Sequence, residues 1–359
     1  MLSLQPSNGR ARNVTMQDIA DAVGVSKAAV SQALAGRGRI SQAKRQVILE
    51  TAEQLGFEPD PHAQRLSMGR FENLISLFSL DLDLGTETLK LSFIEQRLRE
   101  RGFDVSLHAF GFGQLREPAK AQELLRQVCR NKPRAIICNS RELDSSTSVL
   151  LDEFQQSGGS VVCYDNPVDL RCDKVIFDRA ANSRLAARHL IEMGHHHLGM
   201  HLGHRHPRDK RFIAPRQQAF AQTVKEAGLS LPPKHIFYSE KSYEEAGWDV
   251  ARQFLALAPE ERPSALYIVN DHAAAAFVHA VMREGVRVPE DISVVSDDDL
   301  PAARSCLVPL TAVTQPVLQI AEVVVDSLVK RLESPAAPPA YQVIKGELVM
   351  RESVARISL

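Results

Sequence analysis

Three charged residues stand where short apolar runs give way to polar sequence: Asp165 closing VVCYD, Asp271 closing LYIVND, and Arg216 at the predicted start of a helix in APRQQAF. Carboxylates and a guanidinium gathered in one cleft suit a ligand rich in hydroxyls, because carboxylate oxygens accept several hydrogen bonds and arginine donates from a planar fork. The acidic run Asp297-Asp298-Asp299 offers a different chemistry, the grip on a divalent cation used by metal-dependent hydrolases. His195, His196, His197, His201, His204 and His206 crowd GHHHLGMHLGHRH. Imidazole is a common metal ligand, yet the cluster reads better as a surface turn with incidental histidines. The five cysteines, Cys129, Cys138, Cys163, Cys172 and Cys306, are odd in number and lack paired metal spacing, which points to reduced, buried thiols. With no nucleophile–base pair, phosphate-cradling glycine loop or zinc motif, the expectation is a non-enzyme without metal or cofactor.

A second group of polar residues lies near the N-terminus, in TMQDIADAVGVSKAAVSQALAGRGRISQ. Thr15 caps a first helix, with Asp18 completing a capping box. Ile19, Ala20 and Val23 share one face, Gly24-Val25 makes a turn, and Ser26 caps a second helix from Lys27 to about residue 35. This spacing predicts a helix-turn-helix, whose second helix presents its N-terminal side chains to the DNA major groove. Ser41 caps a third helix in QAKRQVILETAEQLG, with Val47, Ile48, Ala52 and Leu55 expected inward. Residues 61–67 form a helix under two turns long, too short to hold itself in water. A partner must hold it, and Leu66 can act as a minor-groove wedge.

Charge agrees with this division. The 359-residue chain carries a formal net charge of −1, whereas residues 1–70 hold nine basic and six acidic side chains. Arg37, Arg39, Lys44 and Arg45 cluster around the start of the third helix as candidate phosphate contacts.

The remaining 290 or so residues alternate strand and helix signals. Apolar, β-branched runs occur at 74–78, 105–110, 135–138, 161–164, 174–177, 198–202, 265–269 and 292–295, with helical stretches at 88–101, 119–129, 183–193, 216–226, 243–256 and 272–284. Such alternation predicts parallel sheets covered on both faces, with ligands beyond the carboxyl ends of the strands. No apolar run spans a membrane, and MLSLQPSNGRARN lacks a signal-peptide core and reads as a disordered arm.

In TMQDIADAVGVSKAAVSQAL, in Phe57-x-Pro59 and in Ala63-x-x-Leu66 the chain resembles the lactose/galactose repressor (LacI/GalR) family, and the likeness continues to the C-terminus. The resemblance implies an all-α head and an α/β periplasmic-binding-protein-like core of two doubly wound lobes joined by three crossovers. It implies that Ser26, Lys27, Ala28, Ala29, Ser31 and Gln32 read DNA, supported by Thr15, Arg39, Ser41 and Lys44, with Ala63 and Leu66 in the hinge. Glutamine at position 32 replaces the family's usual arginine and favours adenine over guanine. Effector contacts are implied for Asp165, Arg216 and Asp271. Where the family carries an aromatic before its Asp-Asp pair, this chain reads VSDDD, so Asp297 makes that wall acidic and favours a cationic, amine-bearing or unusually polar effector. A further aromatic of the family corresponds to Ser242 or Tyr243.

The expected organisation is an arm at 1–13, a head at 14–58, a hinge at 59–71, and a core at 72–359. Its first lobe is set at about 72–165 and 297–325, its second at about 166–296 and 326–359. The expected protein is a cytoplasmic homodimer that regulates transcription, binding a palindromic double-stranded operator under control of a small-molecule effector. A regulator with a non-sensing cleft and a metal-dependent hydrolase are the alternatives.

Overall fold

The structure, a computed structural model, describes residues 14–34, 40–57, 71–79, 82, 85–109, 118–140, 143–203 and 210–357. The arm, Arg39, the hinge with Ala63 and Leu66, and His204 and His206 lie outside the described residues. The chain divides into two compact units, Met1–Arg70 and Phe71–Leu359.

The first unit contains α1 (Met16–Val23), α2 (Lys27–Leu34) and α3 (Gln42–Gln54). Its local signals are realised as spaced. The Thr15 hydroxyl accepts the Asp18 amide, Asp18 accepts the Thr15 amide in return, and Gly24 ends α1 at φ 68°. The hydroxyls of Ser26 and Ser41 accept the amides of Ala29 and Lys44. Ile19, Ala20, Val30, Ala33, Ile48 and Ala52 form the core, two residues from each helix. Val47 and Leu55, expected inward, are instead exposed (48% and 40%). On a 3.6-residue repeat Ile48 and Ala52 centre the buried stripe, leaving Val47 on its rim, while Leu55 is already the cap.

The second unit holds two six-stranded sheets. Sheet A comprises β1 (Phe71–Ser79), β2 (Asp104–Ala109), β3 (Pro133–Asn139), β4 (Ser160–Asp165), β5 (Asp173–Phe177) and β11 (Tyr341–Ile344), ordered β11-β5-β4-β3-β1-β2 and wholly parallel. Helices α4 (Thr86–Glu100), α5 (Pro118–Arg130), α6 (Ser145–Gln156) and α12 (Val317–Glu333) belong with it. Residues alternate between its two faces: Ala135 and Ile137 pack with α4 and α12, Ile136 and Cys138 with α5 and α6. Sheet B comprises β6 (Leu198–His201), β7 (Ile236–Phe237), β8 (Ala265–Ile268), β9 (Ser293–Asp298), β10 (Thr311–Thr314) and β12 (Leu348–Val349), ordered β12-β10-β9-β8-β6-β7, with only β12 antiparallel. Around it lie α7 (Arg179–Glu192), α8 (Lys210–Glu226), α9 (Tyr243–Leu255), α10 (Asp271–Arg283) and α11 (Pro301–Ser305).

The sheets correct the expected lobe boundaries. β5 joins sheet A, β9 and β10 stay in sheet B, α12 and β11 return to sheet A, and β12 ends in sheet B. The chain therefore passes between lobes three times, at Asp178, at Gln315-Pro316 and at 345–347. These passages lie side by side: Asp178 N–H donates to Ile344 O, and Thr314 N–H donates to Glu347 O. Gly346 permits this closeness, since a Cβ there would stand 2.0 Å from Thr314 O.

Candidate functional site

Strand ends, where the backbone turns sharply out of each sheet, carry the polar groups. Asp165, Asn270 and Asp298 end β4, follow β8 and end β9, and take φ of 88°, 87° and 106°. Left-handed backbone in non-glycine residues is uncommon and concentrates at functional sites.

Asp165, 2% exposed, anchors the first lobe's side. Lys90 Nζ stands 2.9 Å from Oδ1, and Arg179 Nη2 donates to both oxygens at 2.8 and 2.7 Å. Gln315, on the second passage, reaches Oδ1 at 3.5 Å. Burial works against this anion, but Arg179 and Lys90 overcome it and hold its carboxyl well below the usual carboxylate range. Lys90, itself buried, also pairs with Glu87 at 3.1 Å, whose other oxygen accepts the hydroxyls of Ser79 and Tyr164. Against burial, Asp165 and Glu87 keep the ammonium charged. Asp165 thus fixes Lys90 and Arg179 in place.

In the second lobe Arg216 lies well inside α8, directly after Pro215, and does not open that helix as expected. Its Nη2 donates to Asp297 Oδ2 at 3.1 Å, and Asn182 Nδ2 donates to Oδ1 at 2.7 Å. Asp297 is fully buried, so it is a partner of Arg216 and no acidic wall. Asp271 opens α10, fully buried, and accepts the Leu300 amide at 2.5 Å on Oδ2. Burial, reinforced by Asp297 and Asp299 and partly offset by Ser296 and the Leu300 amide, pushes its carboxyl up to about 7. Asn270 caps the same helix through the amides of His272 and Ala273. Tyr243 begins α9 with its ring edge-on to His272 at 5.8 Å.

The three charges singled out in sequence therefore do not bond one another. Asp165 serves the first lobe, Arg216 binds Asp297, and Asp271 fastens the turn at Leu300. Between them stands Asp298, whose carboxyl is raised well above its ordinary value by burial and by Asp297 and Asp271, against the pull of Arg216 and Arg179. Asp298, Asn270, Arg179, Lys90, Asn182 and Gln315 were not selected from sequence. The acidic run was the only signal for any of them.

Among the described residues the histidines share no common centre: His195 is buried between Ser264 Oγ and Ala355 O, and His201 Nε2 accepts the Gly203 amide. Among the described residues no group of His, Cys, Asp or Glu could hold a metal ion, and no helix is long and apolar enough to cross a membrane. In the head, Thr15, Ser26, Lys27, Ala28, Gln32, Ser41 and Lys44 are exposed, while Ala29 and Ser31 are half-buried.

A capped three-helix head with an exposed polar helix start, joined in sequence to a two-lobed α/β core, is the construction of a DNA-binding transcriptional regulator. Residues 15–60 match the bacterial regulatory proteins of the lacI family, and residues 187–354 match the periplasmic binding protein-like domain. Along both stretches the chain is similar to regulators of the lacI family. It is 27% identical to the HTH-type transcriptional regulator DegA of Bacillus subtilis, over 85% of this chain and 88% of that one. It is 25% identical to the HTH-type transcriptional repressor PurR of Mannheimia succiniciproducens, over 96% and 99%. The fold matches the Lac repressor dimer bound to operator and the anti-inducer ONPF, with TM-score 0.80 and 20% identity over 96% of this chain and 100% of that one.

Proposed function

We propose that this protein is a transcriptional repressor that binds a palindromic operator as a homodimer in the cytoplasm, with affinity set by a small molecule held between the lobes of its core. The carrying observation is the face of α2. Val30 and Ala33 are buried, while Ser26, Lys27, Ala28 and Gln32 are exposed. Ser26, Lys27 and Gln32 would hydrogen-bond DNA, and Ala28 and Ala29 would offer apolar contact to a thymine methyl. Ser31, Thr15, Ser41, Lys44 and Arg39 would complete the surface with phosphate contacts, and Ala63 and Leu66 would belong to a hinge that folds on DNA. Two-fold symmetry of a dimer would match a palindrome.

The ligand side rests on the strand-end constellation of the core. A ligand that bridges Asp298, Arg216 and Arg179 in the second lobe and Lys90 in the first would favour one lobe arrangement, and would change operator affinity only by its differential affinity for the two. Tyr243 and Asp271 would support that wall. Asp165 and Asp297 would act through the arginines they hold.

The test is a retardation assay on palindromic DNA selected from a random pool, repeated from 50 to 200 mM salt. Specific binding that weakens steeply with salt is expected, and Leu66→Ala should reduce specific affinity while leaving the head folded. No selection of any palindrome would refute the proposal.

A further inference from the structure

We infer that the core takes a ligand bearing a cationic nitrogen, a protonated amine or amidine, with Asp298 as its counter-ion. The inference rests on the proposed ligand-sensing role and names the class of ligand.

The run Asp297-Asp298-Asp299 is unevenly partnered. Asp297 has Arg216 at 3.1 Å and Asn182 at 2.7 Å. Asp299 has Arg351 at 2.6 Å and Arg304 at 3.3 Å. Among the described residues, Asp298 has neither an ion pair nor a side-chain hydrogen bond; its backbone carbonyl accepts the Gln315 amide at 3.0 Å. The cations nearest the first lobe's strand end are already engaged, Lys90 of that lobe with Asp165 and Glu87, and Arg179 of the second lobe with Asp165. An incoming cation therefore meets a carboxyl group for which no existing pair must break, and whose ionised form the cation itself favours. An incoming anion finds every guanidinium or ammonium named here already facing a carboxylate.

A second observation comes from the residues behind Asp298. Asp271 is fully buried and close enough to Asp298 to oppose its ionisation, and its Oδ1 makes no hydrogen bond of ordinary geometry, with the Ser296 hydroxyl as the nearby protein donor. A buried acceptor in that condition costs free energy that an added donor recovers. Two neighbouring carboxyl groups, neither held by an ion pair, together form an acceptor-rich wall whose ionisation a nearby cation favours. Arg216 Nε, also without a partner, supplies one donor beside it. A ligand with an ammonium or amidinium group next to a hydroxyl or carbonyl oxygen answers both requirements. The left-handed backbone of Asp298, φ 106°, is held from the second passage by the Gln315 amide.

The experiment uses the full chain and matched probes: putrescine against 1,4-butanediol, glucosamine against glucose and glucose 6-phosphate, and agmatine, by thermal shift and then calorimetry. At least one cationic member should bind at least about tenfold tighter than its hydroxyl isostere, the preference widening at low salt. Asp298→Asn keeps side-chain size and tolerates the left-handed backbone, and should cut that preference below about threefold. Diols or parent sugars binding as tightly as amines, tightest binding of the sugar phosphate, or an undiminished preference in Asp298→Asn would each overturn the inference. If Asp298→Asn fails to fold, the isostere ratio in the unaltered protein decides. No shift from any cation, in a protein that still retards palindromic DNA, sinks the inference and leaves the regulator standing. Amine binding without any DNA binding does the reverse.

Discussion

Lys90→Met tests the buried charge network most directly. The side chains keep similar length, so the substitution removes charge and hydrogen bonds with little change of volume. Lys90 is 1% exposed and serves two carboxylates, Asp165 at 2.9 Å and Glu87 at 3.1 Å. Asp165 would retain its two-pronged bond to Arg179, whereas Glu87 would keep only the hydroxyls of Ser79 and Tyr164. Removing one partner of a buried pair costs about 3–5 kcal/mol, because the remaining charge is left in a medium that cannot solvate it. For a domain of this size about 2 °C is lost per kcal/mol, so the core transition should fall by roughly 6–10 °C. Calorimetry of the full chain would measure it. The companion variant Lys90→Met/Glu87→Gln removes the orphaned charge and should recover at least half of the loss. A single variant within about 1 kcal/mol of the parent at pH 7.5, or a double variant no better than the single, would refute the account.

Three further outcomes follow from particular contacts. The carboxyl of Asp271, at about 7 in the folded chain, stands above its unfolded value near 4, so the folded state holds a proton that the unfolded state releases and stability declines as pH rises between those values. Asp271→Asn should match the parent near pH 4 and gain on it up to about pH 7, at roughly 1.4 kcal/mol per unit where steepest; a difference in urea midpoint that does not change with pH would contradict this. Gly346→Ala places a methyl 2.0 Å from Thr314 O, where backbone meets backbone, and should lower the core melting temperature by the equivalent of about 1–3 kcal/mol or more. An unshifted transition would show that the three passages separate without cost. Ile48→Ala empties the centre of a six-residue core and should cost about 2–5 kcal/mol, enough to unfold the head. DNA retardation should vanish while the core transition stays in place, and loss of both would argue against two independent units.

Much of this protein is written locally. Caps at Thr15, Ser26 and Ser41, the glycine turn at Gly24 and the two-residue apolar spacings define the three head helices, because each depends on partners within four residues. Apolar β-branched runs alternating with helices likewise announce parallel sheets. These signals need no knowledge of the rest of the chain.

The tertiary structure decided the pairings. Lys90 meets Asp165 across 75 residues, Arg216 meets Asp297 across 81, and Asn182 meets Asp297 across 115. Sequence marked Asp165, Asp271 and Arg216 as charged residues near strand ends, but could not say which charge neutralises which. That depends on register and on the passage each segment takes. The same reason explains the lobe boundaries. A strand such as β5 carries no mark of the sheet it joins, which is set by its pairing with β4 and β11 and by the packing of Val175 and Phe177 against α12. Within the acidic run, three identical side chains differ in burial and in the donors that folding brings to two of them, Arg216 and Asn182 to Asp297, Arg351 and Arg304 to Asp299. Composition and spacing supplied the elements and the chemical groups, and long-range packing determined that Asp298 is the one left without a partner.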